Sequence, residues 1–252
     1  MNKLVSVIIT TNNRHRLFKR ALESVHKQTY KNIEIIVVDG SAIEKTKNYV
    51  KKYSDIIYLN KKNDNANVLR NFGLECAHGN LIAFLDDDDN WDSKKIELQV
   101  KCFKNYDIGL CYTGKNIFNQ KSQKTAYSFH EPKFKSHAKS IMWDNFIGTT
   151  SSIMIKKSVL TNINGFDESL PALQDYDLYI RVCQKYRVFG LNKPLITYLL
   201  NHSENQISNN KNYFRKACTL LIEKYKNTNN IKILRIALSK IKLKRKIKEF
   251  YE

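Results

Sequence analysis

Residues 86–89 are four consecutive aspartates, preceded by the apolar run Leu81–Leu85 (LIAFL) and followed by Asn90 and Trp91. Four like charges in a row repel one another, and a fold keeps them close to its framework where a cation offsets them. Carboxylate oxygens are hard donors of the kind Mg²⁺ and Mn²⁺ take, usually with substrate phosphates completing the shell. A calcium loop of the EF-hand type is ruled out by Trp91, which stands where that loop needs glycine. The plainer alternative is an acidic turn capping a helix that starts near Ser93. Asp92 or Ser93 could do that without the preceding run.

The elements that would position this cluster follow from hydrophobic spacing. Leu81–Leu85 is too short for a helix and suits a strand buried on both faces of a parallel sheet. Open sheets of that kind bind ligands in the crevice beyond the carboxyl ends of their strands. Upstream, Leu4–Thr10 predicts a strand that runs into the polar Thr11–Arg14, then a helix with Leu17, Ala21, Leu22 and Val25 on one side. Ile33–Val38 predicts a second strand, stopping at Asp39-Gly40-Ser41. An amphipathic stretch through Tyr49 and Val50, a short strand over Ile56–Leu59 and a helix around Val68–Cys76 follow. This alternation belongs to doubly wound α/β sheets. Beyond Trp91 the spacing predicts a helix over Ile96–Phe103, strands near Ile108–Tyr112 and Ser151–Ile155, a turn at Gly165–Leu170 and a helix from about Gln174 to Tyr186. The remainder reads as basic helix.

A hydrophobic fraction of 42% in 252 residues supports a substantial core, and 8 glycines with 3 prolines argue against long disordered linkers. The chain shows no bilayer-length apolar stretch and no signal-like N-terminus, which predicts a cytoplasmic protein. The five cysteines (Cys76, Cys102, Cys111, Cys183, Cys218) are scattered like buried thiols of a reducing compartment, not like a zinc site or disulfide framework. A net charge of +19 favours anionic partners of any kind: nucleic acid, phospholipid or phosphorylated substrate. The basic residues are spread along a chain rich in Lys, Asn and Ile, so charge alone does not choose among them.

Taken in order, four segments resemble family-2 glycosyltransferases of the GT-A fold. VSVIITTNNR is similar to that family's opening strand, and EIIVVDGS to its second strand and Asp-Gly-Ser turn. NANVLRNFGLECAHGNLIAFLDDDDNW resembles its Ala-Arg-Asn-x-Gly helix and Asp-x-Asp strand end. GFDESLPALQDYDLYIRV resembles its Gly-Phe-Asp stretch and Glu-Asp helix. The resemblance covers roughly the first 200 residues. It implies a Rossmann-like, mostly parallel sheet flanked by helices: a GT-A domain over 1–200, its nucleotide-binding half 1–90 and acceptor half 91–200, then a basic helical extension over 201–252.

Residue by residue, the resemblance places Thr11, Asn13, Arg14 and Asp87 at the nucleotide, and Asp39 as hydrogen-bond acceptor from the base. Arg70 would lie over the nucleotide or orient the acidic strand end. Asp86 and Asp88 become the Asp-x-Asp pair, Asp86 toward ribose and metal and Asp88 on the metal. Asp175 matches the catalytic base, Gln174 a donor-sugar position, and His202 a position that touches metal or diphosphate in some relatives. Read alone, Asp39 could start a turn, Arg70 could be an exposed helix charge, Asp175 could cap a helix and His202 could be a loop histidine. The chain departs from the pattern in having only Asp39 before Gly40, Gln174 in place of the usual glutamate, and the surplus acid Asp87. A UDP-sugar is the leading donor, with thymidine or guanosine diphosphate open.

The implied reaction is metal-dependent, inverting transfer from a nucleoside-diphosphate sugar to a saccharide or lipid-linked saccharide. Breaking a sugar–diphosphate bond requires stabilising charge on the departing diphosphate, which bound Mn²⁺ or Mg²⁺ does as a Lewis acid. The acceptor hydroxyl is a poor nucleophile, and a carboxylate base contributes about 10²–10⁴-fold. Two other classes compete. A basic nucleic-acid-binding protein lacks support from any zinc-finger, helix-turn-helix or RNA-binding aromatic motif. A nucleotidyltransferase would want a glycine-rich phosphate loop, and TTNNRHR has no glycine. From Ile231 the tail places Ile231, Leu234, Leu238 and Ile241 on one helical stripe, with eight basic against two acidic residues. Such a helix could lie on an anionic membrane at the inner face of the cell, pack on the domain, or supply a subunit contact.

Overall fold

The computed structural model describes residues 3–42, 44–63, 65–200 and 210–251. In chain order its strands are β1 (Val5–Thr11), β2 (Ile33–Asp39), β3 (Ile56–Asn60), β4 (Leu81–Asp86), β5 (Asn90–Trp91), β6 (Leu110–Asn119), β7 (Lys124–Ser128), β8 (Met154–Lys156) and β9 (Val188–Leu200). Its helices are α1 (His15–His26), α2 (Lys45–Val50), α3 (Ala66–Cys76), α4 (Lys95–Asn105), α5 (His137–Trp143), α6 (Lys157–Asn162), α7 (Gln174–Lys185), α8 (Lys211–Lys224) and α9 (Ile231–Tyr251). The described strands share one sheet in the order β3-β2-β1-β4-β8-β6-β9-β5, with β7 paired to β6.

The first four strands are parallel. Their side chains alternate between two cores, as a pleated strand requires. Ile8, Ile36, Val38, Ile82 and Phe84 face one layer, while Val7, Ile9, Ile35, Val37, Ala83 and Leu85 face the other. The second layer is closed by Phe18, Ala21, Leu22 and Val25 of α1 and by Ile96, Val100 and Phe103 of α4. Each fully buried side chain of this size contributes about 1.5–3 kcal/mol. On the first layer α3 lies close to the sheet because Gly73 has no side chain. A Cβ there would meet Ile8 Cγ2 at 2.7 Å and Val38 Cγ2 at 2.9 Å.

Register brings the strand ends level. Thr11 pairs with Asp39, Thr10 with Asp86 and Asp39 with Asn60, so one rim carries the polar ends of β1, β2, β3 and β4. Beyond β4 the sheet is mixed: β8 is antiparallel to β4 and β6, β9 is parallel to β6, and β5 is antiparallel to β9.

One expectation changes, and one of the alternatives for the tail is observed. Ser151–Ile155 is not one strand: Thr150–Ser152 forms a 3₁₀ turn and β8 begins only at Met154. Thr149 starts that turn by accepting the Ser151 N–H with its own hydroxyl, an alternative to sheet pairing that Ser and Thr offer. The C-terminal stripe packs on the domain, as one of those alternatives had it. Leu234 and Leu238 are buried in the same core as Ile8 and Phe84, with Ile231 and Ile241 packed against it, and α9 lies on α5 and α8. A membrane therefore would not meet that stripe, because the domain covers it. No described helix is long and apolar enough to cross a membrane.

Candidate active site

Two arginines from opposite sides hold the acidic strand end. Arg14, just before α1, sets Nη2 2.5 Å from Asp87 Oδ1 and donates from Nη1 to Asp88 Oδ2 at 3.1 Å. The Thr11 hydroxyl donates to Asp87 Oδ2 at 2.7 Å. Across the cleft, Arg70 of α3 is 6% exposed and its Nη2 donates to Asp86 Oδ1 at 2.6 Å. Thr150 donates its hydroxyl to Asp86 Oδ2 at 3.1 Å. The Asp86 N–H donates to Ser151 Oγ at 3.1 Å, and the Trp91 indole N–H to the Ser151 carbonyl at 3.0 Å.

The four aspartates are not equivalent. The side chains of Asp86 and Asp88 are 23% and 17% exposed, whereas Asp87 is sealed at 0% and Asp89 is buried. Burial pushes the Asp87 carboxyl up to about 7, and Asp88 and Asp86 add to this, while Arg14 and the Thr11 hydrogen bond pull it back. Burial and the charges of Asp88 and Asp86 raise Asp89 well above the usual carboxylate range. The outward pair is thus reachable from the cleft, and the inward pair braces the turn.

Among the described residues, no three His, Cys, Asp or Glu side chains gather to hold a metal unaided. Asp86 and Asp88 nevertheless offer hard oxygen donors at the cleft, and Asp89 Oδ1 is a buried acceptor with no hydrogen-bond partner among the described residues. That donor set fits a divalent ion taking one or two carboxylates here and its other ligands from a diphosphate.

Asp175 opens the first turn of α7, half-buried, and its Oδ1 accepts the Tyr176 N–H at 2.8 Å. Burial raises its pKa; the Tyr176 N–H, Arg70 and Lys115 act against this, and Asp86 with it. It lines a cavity of about 390 Å³ with Thr113, Lys115, Phe129, Thr149 and Tyr198. α3 places this end of the molecule: the Asn67 side chain donates to the carbonyls of Asp167 and Leu170, and Asn71 exchanges hydrogen bonds with the backbone of Phe166. The Arg70 guanidinium lies 5.3 Å from the Phe166 ring centre.

The structure therefore brings Thr11, Arg14, Arg70, Asp86, Asp87 and Asp88 together, with Asp175 electrostatically coupled to Arg70 and Asp86. Asn13 is exposed and donates to its neighbour Asn12. Gln174 is half-exposed at the head of α7. Asp39 is fully buried, accepting from the Ser41 N–H at 2.9 Å and the Tyr58 hydroxyl at 3.0 Å. His202 lies outside the described residues. Sequence reading passed over Lys115, Thr150, Ser151, Asn67 and Asn71. Only the asparagines left a signal there, two amides one helical turn apart beside Arg70.

The cluster thus lies at the carboxyl ends of parallel strands, where open α/β sheets bind ligands. The profile of Glycosyl transferase family 2 matches residues 6–163, and the chain belongs to that family. It is 30% identical over 200 residues to RT0329 of Rickettsia typhi, an uncharacterized glycosyltransferase, covering 77% of this chain and 63% of that protein. It is 28% identical over 211 residues to Escherichia coli WfgD, a UDP-Glc:alpha-D-GlcNAc-diphosphoundecaprenol beta-1,3-glucosyltransferase, covering 82% and 81%. The structure of S. aureus TarS 1-349 in complex with UDP-GlcNAc superposes with a TM-score of 0.72 at 17% identity, covering 93% of this chain and 71% of that one.

Proposed function

We propose that the protein transfers a glycosyl group, with inversion, from a nucleoside-diphosphate sugar to a hydroxyl of a saccharide or lipid-linked saccharide, with Asp175 as general base. The observation that carries this is Arg70, which grips Asp86 at 2.6 Å while its charge acts on Asp175. One buried cation thus ties the donor end of the cleft to the candidate base. The UDP-sugar class and the lipid-linked acceptor are supported by the substrates named for WfgD and the UDP-GlcNAc held by TarS.

In this mechanism Thr11 and Arg14 orient the nucleotide side, and Asp86 and Asp88 would hold Mg²⁺ or Mn²⁺. The ion, when bound, neutralises charge on the departing diphosphate. The acceptor hydroxyl enters the cavity beside Asp175, which takes its proton as the oxygen attacks the anomeric carbon. The bond from that carbon to the diphosphate oxygen breaks, and its electron pair leaves with the nucleotide. Burial raises the Asp175 pKa and so strengthens it as a base, while the Tyr176 N–H, Arg70 and Lys115 oppose that rise.

Asp175→Asn keeps the shape of the side chain and removes the base. Turnover is expected to fall at least about 10²–10⁴-fold while nucleotide binding by calorimetry persists. Turnover close to wild type would remove Asp175 from the mechanism.

A further inference from the structure

The helix that carries Asp175 has a second carboxylate two residues on, and the reaction does not use it. Asp177 is 0% exposed. Two residues along a helix turn by about 200°, so Asp177 stands on the side of α7 opposite the cleft. Its Oδ2 accepts from Arg181 Nε at 2.8 Å. Its Oδ1 accepts from the Tyr225 hydroxyl at 2.8 Å and lies 2.8 Å from Lys224 Nζ. Lys224 also reaches Asp167 Oδ2, at 2.6 Å, in the turn that leads into α7. Arg181 Nη1 donates to the carbonyls of Ile163 and Gly165 at 2.6 and 2.7 Å. Turn and helix are thus fastened to the end of α8 by groups that sequence places far from both.

We propose that Lys224 and Tyr225 are positioning residues for the general base. By clamping Asp177 they fix the rotation of α7 about its axis, and with it the direction in which Asp175 points. The proposal rests on the general-base reading of Asp175. Its scale follows from geometry. A carboxylate about 6 Å from a helix axis moves about 1 Å when the helix turns by about 10°. A misplacement of that size costs about 10²-fold in rate. The clamp is electrostatically firm. Burial works to raise Asp167, yet the hydrogen bonds from Lys224 and Ser169 hold it down at about 2. Burial and the Asp177 charge push the Tyr225 hydroxyl far up, so it stays a donor. The end of α8 then belongs to the catalytic unit.

The test uses the full chain with Lys224→Met, Lys224→Arg and Tyr225→Phe, assayed beside Asp175→Asn below the melting temperature of each. Lys224→Met and Tyr225→Phe are expected to lower kcat about 10–100-fold while KM for the nucleotide sugar and affinity for the nucleoside diphosphate stay within about twofold, with partial rescue by Lys224→Arg. A cluster that only stabilises the fold would lower the melting temperature and leave kcat intact, and that result overturns the proposal. If Lys224→Met does not fold, Tyr225→Phe, which loses a single hydroxyl, decides. Inactive Asp175→Asn with fully active clamp variants sinks the positioning role alone, whereas active Asp175→Asn sinks the base assignment beneath it.

Discussion

Lys115 projects from β6 into the cavity that holds Asp175, 5.3 Å from the Tyr198 ring centre. Burial lowers its pKa, and the charges of Asp89 and Asp175 resist that fall. The effect is mutual: Lys115 is one of the charges that offset the burial of Asp175. A base whose pKa is raised must lose its proton before it can act, so turnover rises with pH through that raised value. Removing a nearby cation raises it further. Lys115→Met is therefore expected to move the acidic limb of the kcat–pH profile to higher pH, and a limb that stays in place would contradict the coupling. At this scale, residue type and spacing spoke clearly only for the aspartate run. For Arg70 the neighbours alone left an exposed helix charge open beside a role at the nucleotide or the acidic strand end, because the close approach that Gly73 permits and the buried salt bridge to Asp86 are properties of packing.

At the scale of elements, α4 joins the site through an unusual lysine. Lys95 is fully buried, donates to Gln99 Oε1 at 2.8 Å and lies 4.0 Å from the Trp91 ring centre. Gln99 in turn donates to the carbonyls of Cys111 and Ser152, each at 3.0 Å, so a polar thread runs from α4 through β6 to the turn that braces Asp86. Burial lowers Lys95 to about 7, against a small opposing pull from Cys111. Between about pH 7 and the ordinary lysine value the unfolded chain binds the extra proton. The favourable contribution is thus full above that ordinary value and lost as pH falls through about 7. Lys95→Met is expected to be more stable than wild type by the order of a few kcal/mol below pH 7, with the gap narrowing as pH rises toward 10. Calorimetry at pH 6 and pH 9 checks this, and an unchanged gap would contradict it. The strands β1, β2 and β4 were legible because each is a continuous apolar run covered on both faces. β9 was not, since Gly190, Asn192, Lys193 and Pro194 interrupt it and its pairing with β6 shifts register there.

For the whole molecule, the ordered motifs were enough to give the GT-A sheet and the family, and the family profile covers 6–163. What lay beyond them was less readable. The basic helices looked like an appendage because their charges are local and visible, whereas their partners are remote. Tyr225 meets Asp177 across a separation of 48 residues. The stripe that could have met a membrane is instead spent on the core through Leu234 and Leu238. Nucleotide binding is therefore the property to test before polyanion binding.

The most direct measurement is thermal unfolding of the full chain with UDP, GDP, CMP and dTDP, each with and without Mn²⁺, beside Asp88→Ala. A ligand that binds only the folded state stabilises it by about 2.7 kcal/mol at a hundredfold excess over Kd. The expected result is stabilisation by one nucleoside diphosphate, UDP in the first instance, that depends on Mn²⁺ and is lost in Asp88→Ala. No stabilisation by any of the four, with or without the metal, would contradict the account.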